Sequence, residues 1–587
     1  MIIGIDVGGT HTDGVLLTGK NMSAGEGYEI LATSKVRTIK DNLMNSILEA
    51  LDLLLEGVRN PEIRRIVLST TLAANVVVEE KYDPVGLILI PGPGLNPEHL
   101  LIGEENLLLS GYINHRGKEV KGLDREELLQ GLDKMRERDI RNLAIVSKFS
   151  TRNPGLEEEI LEFIREKGYP FENITVGHQL SGRLSFPRRV FTAYFNTAIM
   201  AVYRDFVSAV KKALAERNLD TEVYILKCDG GTVSLDRVMM APIETVNSGP
   251  AASIMGTMAM SRVHLTKETA IALDIGGTTT DIGLFINGEP AFMPEGIEIN
   301  GLPSLIRGLY SLSLPLGGDS RISVVEGRIK IGPERDGPAA AFGGPSPTPT
   351  DALLVLGYLQ EDPAYEASAD LQAARDGLAQ LAGELDPVGY GSFWQDGEFN
   401  LTGFARNIID LMLDSIVGTI REILARLENK PVYTISELLA GIEINPKVLL
   451  AMGGPAKGLS PLLAEKLGYR EELVPYAKVA NAVGAALARP TLQTTVRVDT
   501  AASYLNIVEA GVHRKLKPGE RYELEDVEEL AIAWTRKRAE DEAAAVEITE
   551  RESFNVIRGF STLGKIMEVK AQIKPGLISR PEGSEIG

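Results

Sequence analysis

The 587-residue chain reads as an α/β protein of two matched halves facing a cleft, followed by a small α+β module. Three observations predict this. A glycine-rich segment occurs twice, as IGIDVGGTHTDGVLL at 3–17 and IALDIGGTTTDIGLF at 271–285. Around each copy, short Val, Ile and Leu runs alternate with helix-period stretches, which is α/β patterning. After Pro490 the alternation gives way to longer strand-like runs around one helix.

In chain order, the first repeat is an apolar run, Asp6, Gly8-Gly9-Thr10, a polar pair ending in Asp13 and a second apolar run, which reads as a β-hairpin. Helical patterns follow at 43–58 and 124–139, and a first half of 1–190 results. The second half, 191–490, repeats the plan: Asp274 aligns with Asp6, Gly276, Gly277 and Thr278 with Gly8, Gly9 and Thr10, and Thr280 and Asp281 with Thr12 and Asp13. Within it, 333–350 is rich in Gly, Ala and Pro and 361–390 is acidic and helical, so an insertion or lid is expected at about 330–395. VLLAMGGPAKGLSPLLAEKLG at 448–468 reads as strand, turn and amphipathic helix, and NAVGAALA at 481–488 as a small-residue helix suited to close packing. In the module, 491–587, strands are expected at 494–511 and 556–578 with a helix at 525–545 between them.

Composition narrows the function. Sixty-one basic against eighty-one acidic residues give a net charge of −20, which disfavours nucleic acid and anionic lipid as partners. The apolar runs are shorter than the ~20 residues that span a bilayer, and the N-terminus enters a strand without a basic leader, so no membrane is expected. A lone cysteine, Cys228, suits a reducing cytoplasm and excludes a Cys-ligated metal built within one chain.

The repeated turn carries the chemistry. Paired glycines permit positive φ and let backbone amides approach phosphate oxygens without a Cβ in the way. Threonine adds a hydroxyl donor, and an aspartate at the end of the first strand can hold Mg²⁺ through water. Two such turns face to face would clamp the β- and γ-phosphates of a nucleotide. One copy alone reads equally well as a tight hairpin; two matched copies, each with both aspartates, favour the clamp.

These hairpins resemble the phosphate-1 and phosphate-2 loops of the actin, sugar-kinase and Hsp70 ATPase superfamily, which implies two ribonuclease-H-like halves around a nucleotide cleft. Gly453-Gly454-Pro455 fits the superfamily's adenosine loop. Within it, the chain is similar to the hydantoinase A and 5-oxoprolinase family from residue 1 to about 490. DVGGTHTD resembles the family's opening; Thr70, Thr71 and Asn75 carry a Gly-Thr-Thr…Asn segment. CDGGTVSLDRVMMAPIETVNSGPAASIMG at 228–256 matches at Gly230, Gly231, Pro242, Thr245, Ser248, Gly249, Pro250 and Ala251, and PTDALLVLGYL at Thr350, Asp351 and Ala352. It departs at His11, usually Phe, at Asp319, which intrudes into a Gly-Gly-Gly-Ser run, at Leu353, usually Asn, and in lacking a Pro-Ala-Cys-Tyr element within 332–345.

The resemblance implies an ATP- and Mg²⁺-dependent opening of a cyclic amide through a phosphorylated amide. Asp6 and Asp274 would organise the metal. Gly8, Gly9, Thr10, Thr12, Gly276, Gly277, Thr278 and Thr280 would hold phosphate, Asp13 and Asp281 would fix the loops or position a nucleophile, and Gly453 and Gly454 would face adenosine. The implied partners are a small cyclic amide and a second hydrolytic subunit or further copies of the chain. A small-molecule kinase and an ATP-driven reactivase, with 491–587 as its contact surface, remain alternative readings. His178, Arg188 and Arg189 have both substrate-contact and structural readings; Asn196 and Cys228 read as packed structural residues.

Overall fold

The computed structural model describes residues 1–19, 27–39, 42–58, 62–181, 183–261, 263–293, 295–359, 369–385, 393–395, 398–428, 444–477, 479–539, 541–558 and 561–578. The chain opens with the hairpin β1 (Ile2–Val7) and β2 (His11–Gly19), continues through β3 (Tyr28–Arg37) and α1 (Leu43–Leu55), and returns as β4 (Arg65–Thr70). It then leaves to build a second sheet from β5 (Val85–Ile90), β6 (Glu105–Leu108), α2 (Arg125–Glu137), β7 (Asn142–Ser147), α3 (Gly155–Lys167) and β8 (Asn173–Val176). The long helix α4 (Phe186–Glu216) leads back to β9 (Glu222–Leu226) and β10 (Thr232–Ser234), which complete the first sheet in the order β10-β9-β4-β1-β2-β3. The boundary expected near 190 therefore falls inside α4, and the first half's sheet is finished by strands from beyond it. The second sheet, β8-β7-β5-β6, is wholly parallel.

The second half follows helix α5 (Ser248–Met260) with the hairpin β11 (Ala270–Ile275) and β12 (Thr280–Ile286), the short β13 (Glu289–Pro290) and β14 (Ser311–Leu314), and a hairpin of β15 (Ile322–Val325) and β16 (Arg328–Ile331). Helices α6 (Pro349–Val355), α7 (Leu371–Ala382) and α8 (Leu401–Glu428) precede β17 (Val448–Met452), α9 (Ala456–Leu467), β18 (Arg470–Leu473) and α10 (Ala480–Leu487). Its sheet runs β13-β12-β11-β17-β18, with β14 also on β12. Both hairpins are antiparallel, and in both the first strand is flanked on its other side by a parallel strand, β4 or β17.

Strand alternation sorts the cores. On β1, Ile3, Ile5 and Val7 face outward to Ile47 and Leu51 of α1 and Tyr203 of α4, while Ile2 faces inward. On β11, Ile271, Leu273 and Ile275 pack outward against Phe404, Ile408 and Leu459, while Ala270 and Ala272 face inward. The two inward faces share one core filled by α5 and α10. Small residues set that spacing. A Cβ on Gly4 would lie 2.1 Å from the Ala482 carbonyl oxygen, one on Gly256 2.3 Å from that of Ala480, and one on Gly484 2.2 Å from the Gly256 nitrogen.

Of the insertion or lid expected at about 330–395, helix α7 is part of the core, while Pro333, Glu334, Asp336 and Pro338 are exposed. Ala374, Leu378, Leu381 and Ala382 of α7 are buried with α6 and α8 against the second half's outer face, because the Ala-Leu spacing makes an apolar stripe opposite Gln372, Arg375, Asp376 and Gln380. Residues 360–368 and 386–392 lie outside the described residues.

The C-terminal module is a five-stranded antiparallel sheet of β19 (Gln493–Asp499), β20 (Tyr504–Ile507), β21 (Val512–Lys515), β22 (Val546–Arg558) and β23 (Ser561–Ile573), ordered β21-β20-β19-β23-β22, with α11 (Leu524–Ala539) packed on it. The single strand expected at 556–578 is one arm of a hairpin whose first arm, β22, sequence reading missed. The helix expected to 545 stops at Ala539. The module is bonded to the body: Gln572 Nε2 donates to Asp229 at 2.6 Å, Arg307 pairs with Glu547 at 2.7 Å, and Arg497 donates to the Thr151 carbonyl.

Candidate functional site

The two glycine-rich turns are built alike. Asp6 pairs in register with Asp13 and Asp274 with Asp281. The Gly8 amide donates to the His11 carbonyl at 3.0 Å, as the Gly276 amide does to Thr279 at 2.9 Å. Because side chains alternate along a strand, Asp6 shares the inward face of Ile2 and Gly4, Asp13 that of Val15, Asp274 that of Ala272, and Asp281 that of Phe285. All four carboxylates therefore lie on the facing inner surfaces of the two sheets.

Asn481, at the start of α10, ties the two halves of this cluster. Its Nδ2 donates to Asp274 Oδ2 at 3.2 Å, and it lies beside Asp6. Sequence reading missed it; the available signal is a lone amide in an otherwise Ala, Val and Gly helix. The cluster is desolvated. Burial pushes Asp6 up to about 7, with the charges of Asp13 and Asp274 adding, and pushes Asp281 up to about 7, with Asp274 and Asp6 adding. Asp274 is raised by burial too. Asp13 is raised by burial and opposed by Lys35, whose ammonium sits 2.7 Å away.

Among the described residues, Asp6 Oδ1 and Asp281 Oδ1 are buried without a hydrogen-bond partner, as is Asn481 Oδ1. Buried carboxylate oxygens left unpaired are costly, and a hard divalent cation would relieve them. No three acidic, His or Cys side chains among the described residues converge closely enough to ligate one ion directly. The donor set thus fits a cation that keeps much of its water, as Mg²⁺ does.

The turn residues divide into two groups. Among the described residues, the amides of Gly9, Thr10, Gly277 and Thr278 and the hydroxyls of Thr10 and Thr278 make no hydrogen bond, leaving donors for an anion. Thr12 and Thr280 do not join them: both are fully buried, Thr12 Oγ1 meeting Thr38 Oγ1 at 3.0 Å and Thr280 Oγ1 donating to the Leu316 carbonyl at 2.7 Å. Strand alternation turns them away from the aspartates. The glycines also differ from expectation, since Gly8, Gly9, Gly276 and Gly277 are not among the positive-φ residues. At three of them the need is steric: a Cβ would lie 3.0 Å from the His11 carbonyl oxygen at Gly8, 3.2 Å from that of Thr279 at Gly276 and 2.6 Å from Asp319 Oδ2 at Gly277, whereas at Gly9 it would stand in open space.

Gly453 does need its backbone, with φ of 101° and a Cβ position 2.2 Å from the Ile275 carbonyl oxygen, so the 453–455 turn abuts the end of β11. Gly454 is exposed beside it. The loop after β14 lies across both: Gly318 N donates to Gly276 O at 2.9 Å, Asp319 N to Gly277 O at 2.7 Å, and Thr350 Oγ1 to Gly318 O at 2.7 Å. Asp351 accepts from the amides of Ala340, Ala341 and Thr348 and holds the adjoining loop. On the first half, Ser248 Oγ at the start of α5 donates to the Thr70 carbonyl at 2.8 Å.

The remaining candidates lie elsewhere. His178 follows β8, its Nδ1 2.6 Å from the fully buried Glu157. Arg189 is buried and donates to the Ser147 and Arg183 carbonyls; Arg188 binds Glu295. Asn196 bridges Thr175 and the Ile243 amide. Cys228 is buried with its thiol pushed up by burial, so it is no nucleophile.

Residues 2–168 match the hydantoinase/oxoprolinase N-terminal region and residues 189–494 match hydantoinase/oxoprolinase. The acetophenone carboxylase gamma subunit of Aromatoleum aromaticum is 24% identical over 66% of this chain and 57% of its own length. The caprolactamase subunit alpha of Pseudomonas jessenii is 24% identical over 82% and 68%. The crystal structure of the ATP-dependent caprolactamase from Pseudomonas jessenii superposes with a TM-score of 0.69 at 18% identity, covering 100% of this chain and 89% of that one. The chain spans little more than half of the carboxylase subunit it matches. With family models covering most of its residues, the chain belongs to the hydantoinase/oxoprolinase family.

Proposed function

We propose that the chain binds MgATP between two ribonuclease-H-like halves and uses it to open a cyclic amide such as a hydantoin or 5-oxoproline. The observation that carries this is the set of four aspartates on facing inner surfaces, two with unpaired buried oxygens, above two turns with free amide donors. The chain's relatives, an ATP-dependent caprolactamase among them, support the reaction class.

Asp6 and Asp274 would hold Mg²⁺ through water, Asn481 fixing the Asp274 carboxylate. The bound ion would neutralise phosphate charge. The amides of Gly9, Thr10, Gly277 and Thr278 with the Thr10 and Thr278 hydroxyls would orient the phosphates, and Gly454 would border the adenosine. Bringing the amide oxygen in line with the γ-phosphorus is positioning work rather than covalent chemistry by the protein. The O–P bond forms as the β–γ bridge breaks and ADP leaves. Water then adds to the activated carbon, the C–N bond breaks to an open-chain acyl phosphate, and a second water releases phosphate. Relatives carry names of subunits, which supports a second hydrolytic subunit as partner for the later steps. No helix among the described residues is long and apolar enough to cross a membrane, and the proposed site of action is the cytoplasm.

The test is ADP release with Mg²⁺ over a panel of hydantoin, 5-oxoproline and larger lactams, with Asp274→Asn as control. Stimulation by one lactam with a ring-opened product, falling about 10²-fold or more in the control, is the expected result, the size typical of losing one charge-organising group. A slow ATPase indifferent to every lactam, with or without the partner, would sink the amide reading.

A further inference from the structure

The covering of the second turn has a composition of its own. Asp319 takes the space that a Gly277 side chain would fill, its Oδ2 2.6 Å from that Cβ position, and its amide is bonded to the Gly277 carbonyl. A bare carboxylate there would repel an incoming phosphate. It is not bare: Arg335 Nη2 donates to Asp319 Oδ2 at 2.8 Å, and Arg335 Nε donates to the Gly337 carbonyl at 3.1 Å.

The loop carrying Arg335 is itself pinned. Arg321 N donates to Glu334 O at 2.8 Å, Gly332 N to Arg321 O at 2.8 Å, and Ser346 Oγ to Asp336 at 2.5 Å. Two edges of the guanidinium are thus fixed, and among the described residues Nη1 has no hydrogen-bond partner. A planar fork held on two sides with a third nitrogen unspent loses little freedom on binding an anion.

We propose that Arg335, positioned by Asp319, is the cation that the second half presents to the terminal phosphate of the bound nucleotide. This rests on the nucleotide reading given above. The two residues act as one device: Arg335 cancels the Asp319 charge over the phosphate-binding turn and keeps Nη1 for the γ-phosphate, which ADP lacks. The opposite wall agrees. His11, at the tip of the first turn, is held below its ordinary pKa by burial and then by the cations around it, Lys35, Arg335 and Arg37, so the charge of Arg335 reaches across the cleft.

The experiment is calorimetric binding of Mg·ADP and of the non-hydrolysable Mg·β,γ-imido-ATP to the full chain and to Arg335→Ala, Arg335→Lys and Asp319→Asn, each checked by thermal melting. Arg335→Ala is expected to weaken the imido nucleotide about ten- to a hundredfold, the worth of one charge-assisted hydrogen bond, with ADP affinity within about twofold. Arg335→Lys should recover part of the loss, and Asp319→Asn, which keeps the charge and loosens its anchor, should show a smaller loss of the same selectivity. Equal weakening of both nucleotides, or of neither, overturns the proposal while leaving the nucleotide site standing. Failure of the unaltered chain to bind either nucleotide overturns the proposal and the nucleotide reading together.

Discussion

The two glycine-rich turns share register, closing hydrogen bond and aspartate pairs, yet their surroundings differ. The first is open: space surrounds Gly9, and Asp13 is neutralised by Lys35 on the neighbouring strand β3. The second is covered: the loop through Asp319 lies on Gly277, and Asp281, the counterpart of Asp13, has no ion pair among the described residues. A duplicated backbone therefore need not mean a duplicated role. Each turn keeps one unpartnered buried carboxylate oxygen, on Asp6 or on Asp281; the first adds only free donors, whereas the second adds a covering loop and the fixed Asp319–Arg335 charge pair.

The contrast between Asp13 and Asp281 is sharpest in the pH dependence of the metal-free chain, to which Asp6, also pushed up to about 7, adds a share like that of Asp281. Asp281 titrates near 7 in the folded state and near 3.8 when unfolded, so the folded state binds its proton more tightly. Its contribution is present at low pH and is lost as pH rises from about 4 through 7. Asp281→Asn should remove that residue's share of the loss and raise stability at pH 8 by on the order of 4 kcal/mol, at about 1.4 kcal/mol per pKa unit, in urea titrations with chelator. Asp13→Asn, at the ion-paired counterpart, should change the profile far less.

A second comparison adds one methyl to each turn. Gly277→Ala forces the Asp319 carboxylate aside and should cost about 1–2 kcal/mol in chemical denaturation, whereas Gly9→Ala meets nothing within 4 Å and should stay within about 0.5 kcal/mol. Equal costs would mean that the covering loop yields freely. The smallest effect is expected at Lys35→Ala. The ion pair with Asp13 is half-exposed on the lysine side, and solvent screening limits its worth to under about 1 kcal/mol, read as a thermal shift that shrinks with added salt.

How much of this is legible in the sequence follows from range. The hairpins and the 448–488 strand, turn and helices are local, and a period-2 run into a Gly-Gly turn specifies them. The same period, applied residue by residue, separates Thr12 from Asp13 and Thr280 from Asp281: neighbours on a strand face opposite ways, so both members of a pair cannot line the cleft. Asn481 is a different case, because its bond to Asp274 joins residues 207 positions apart. The helix α7 is obscured by its neighbourhood, since the glutamates and aspartates around it in 361–390 outweigh the buried Ala374, Leu378 and Leu381 stripe. Strand β22 hides because its glutamates and arginines mask the pairing that places it on β23.

The glycine contacts between β1, α5 and α10 have one more consequence. Helices normally lock by seating ridges of side chains into grooves, and to turn against each other they must lift those ridges out. Gly4, Gly256 and Gly484 meet the facing backbone with no ridge between, while Ile254, Met255 and Val483 fill the rest of the seam. At those contacts the spacing of the seam is set by backbone thickness alone, so one added methyl at any of them would act as a wedge between the two sheets.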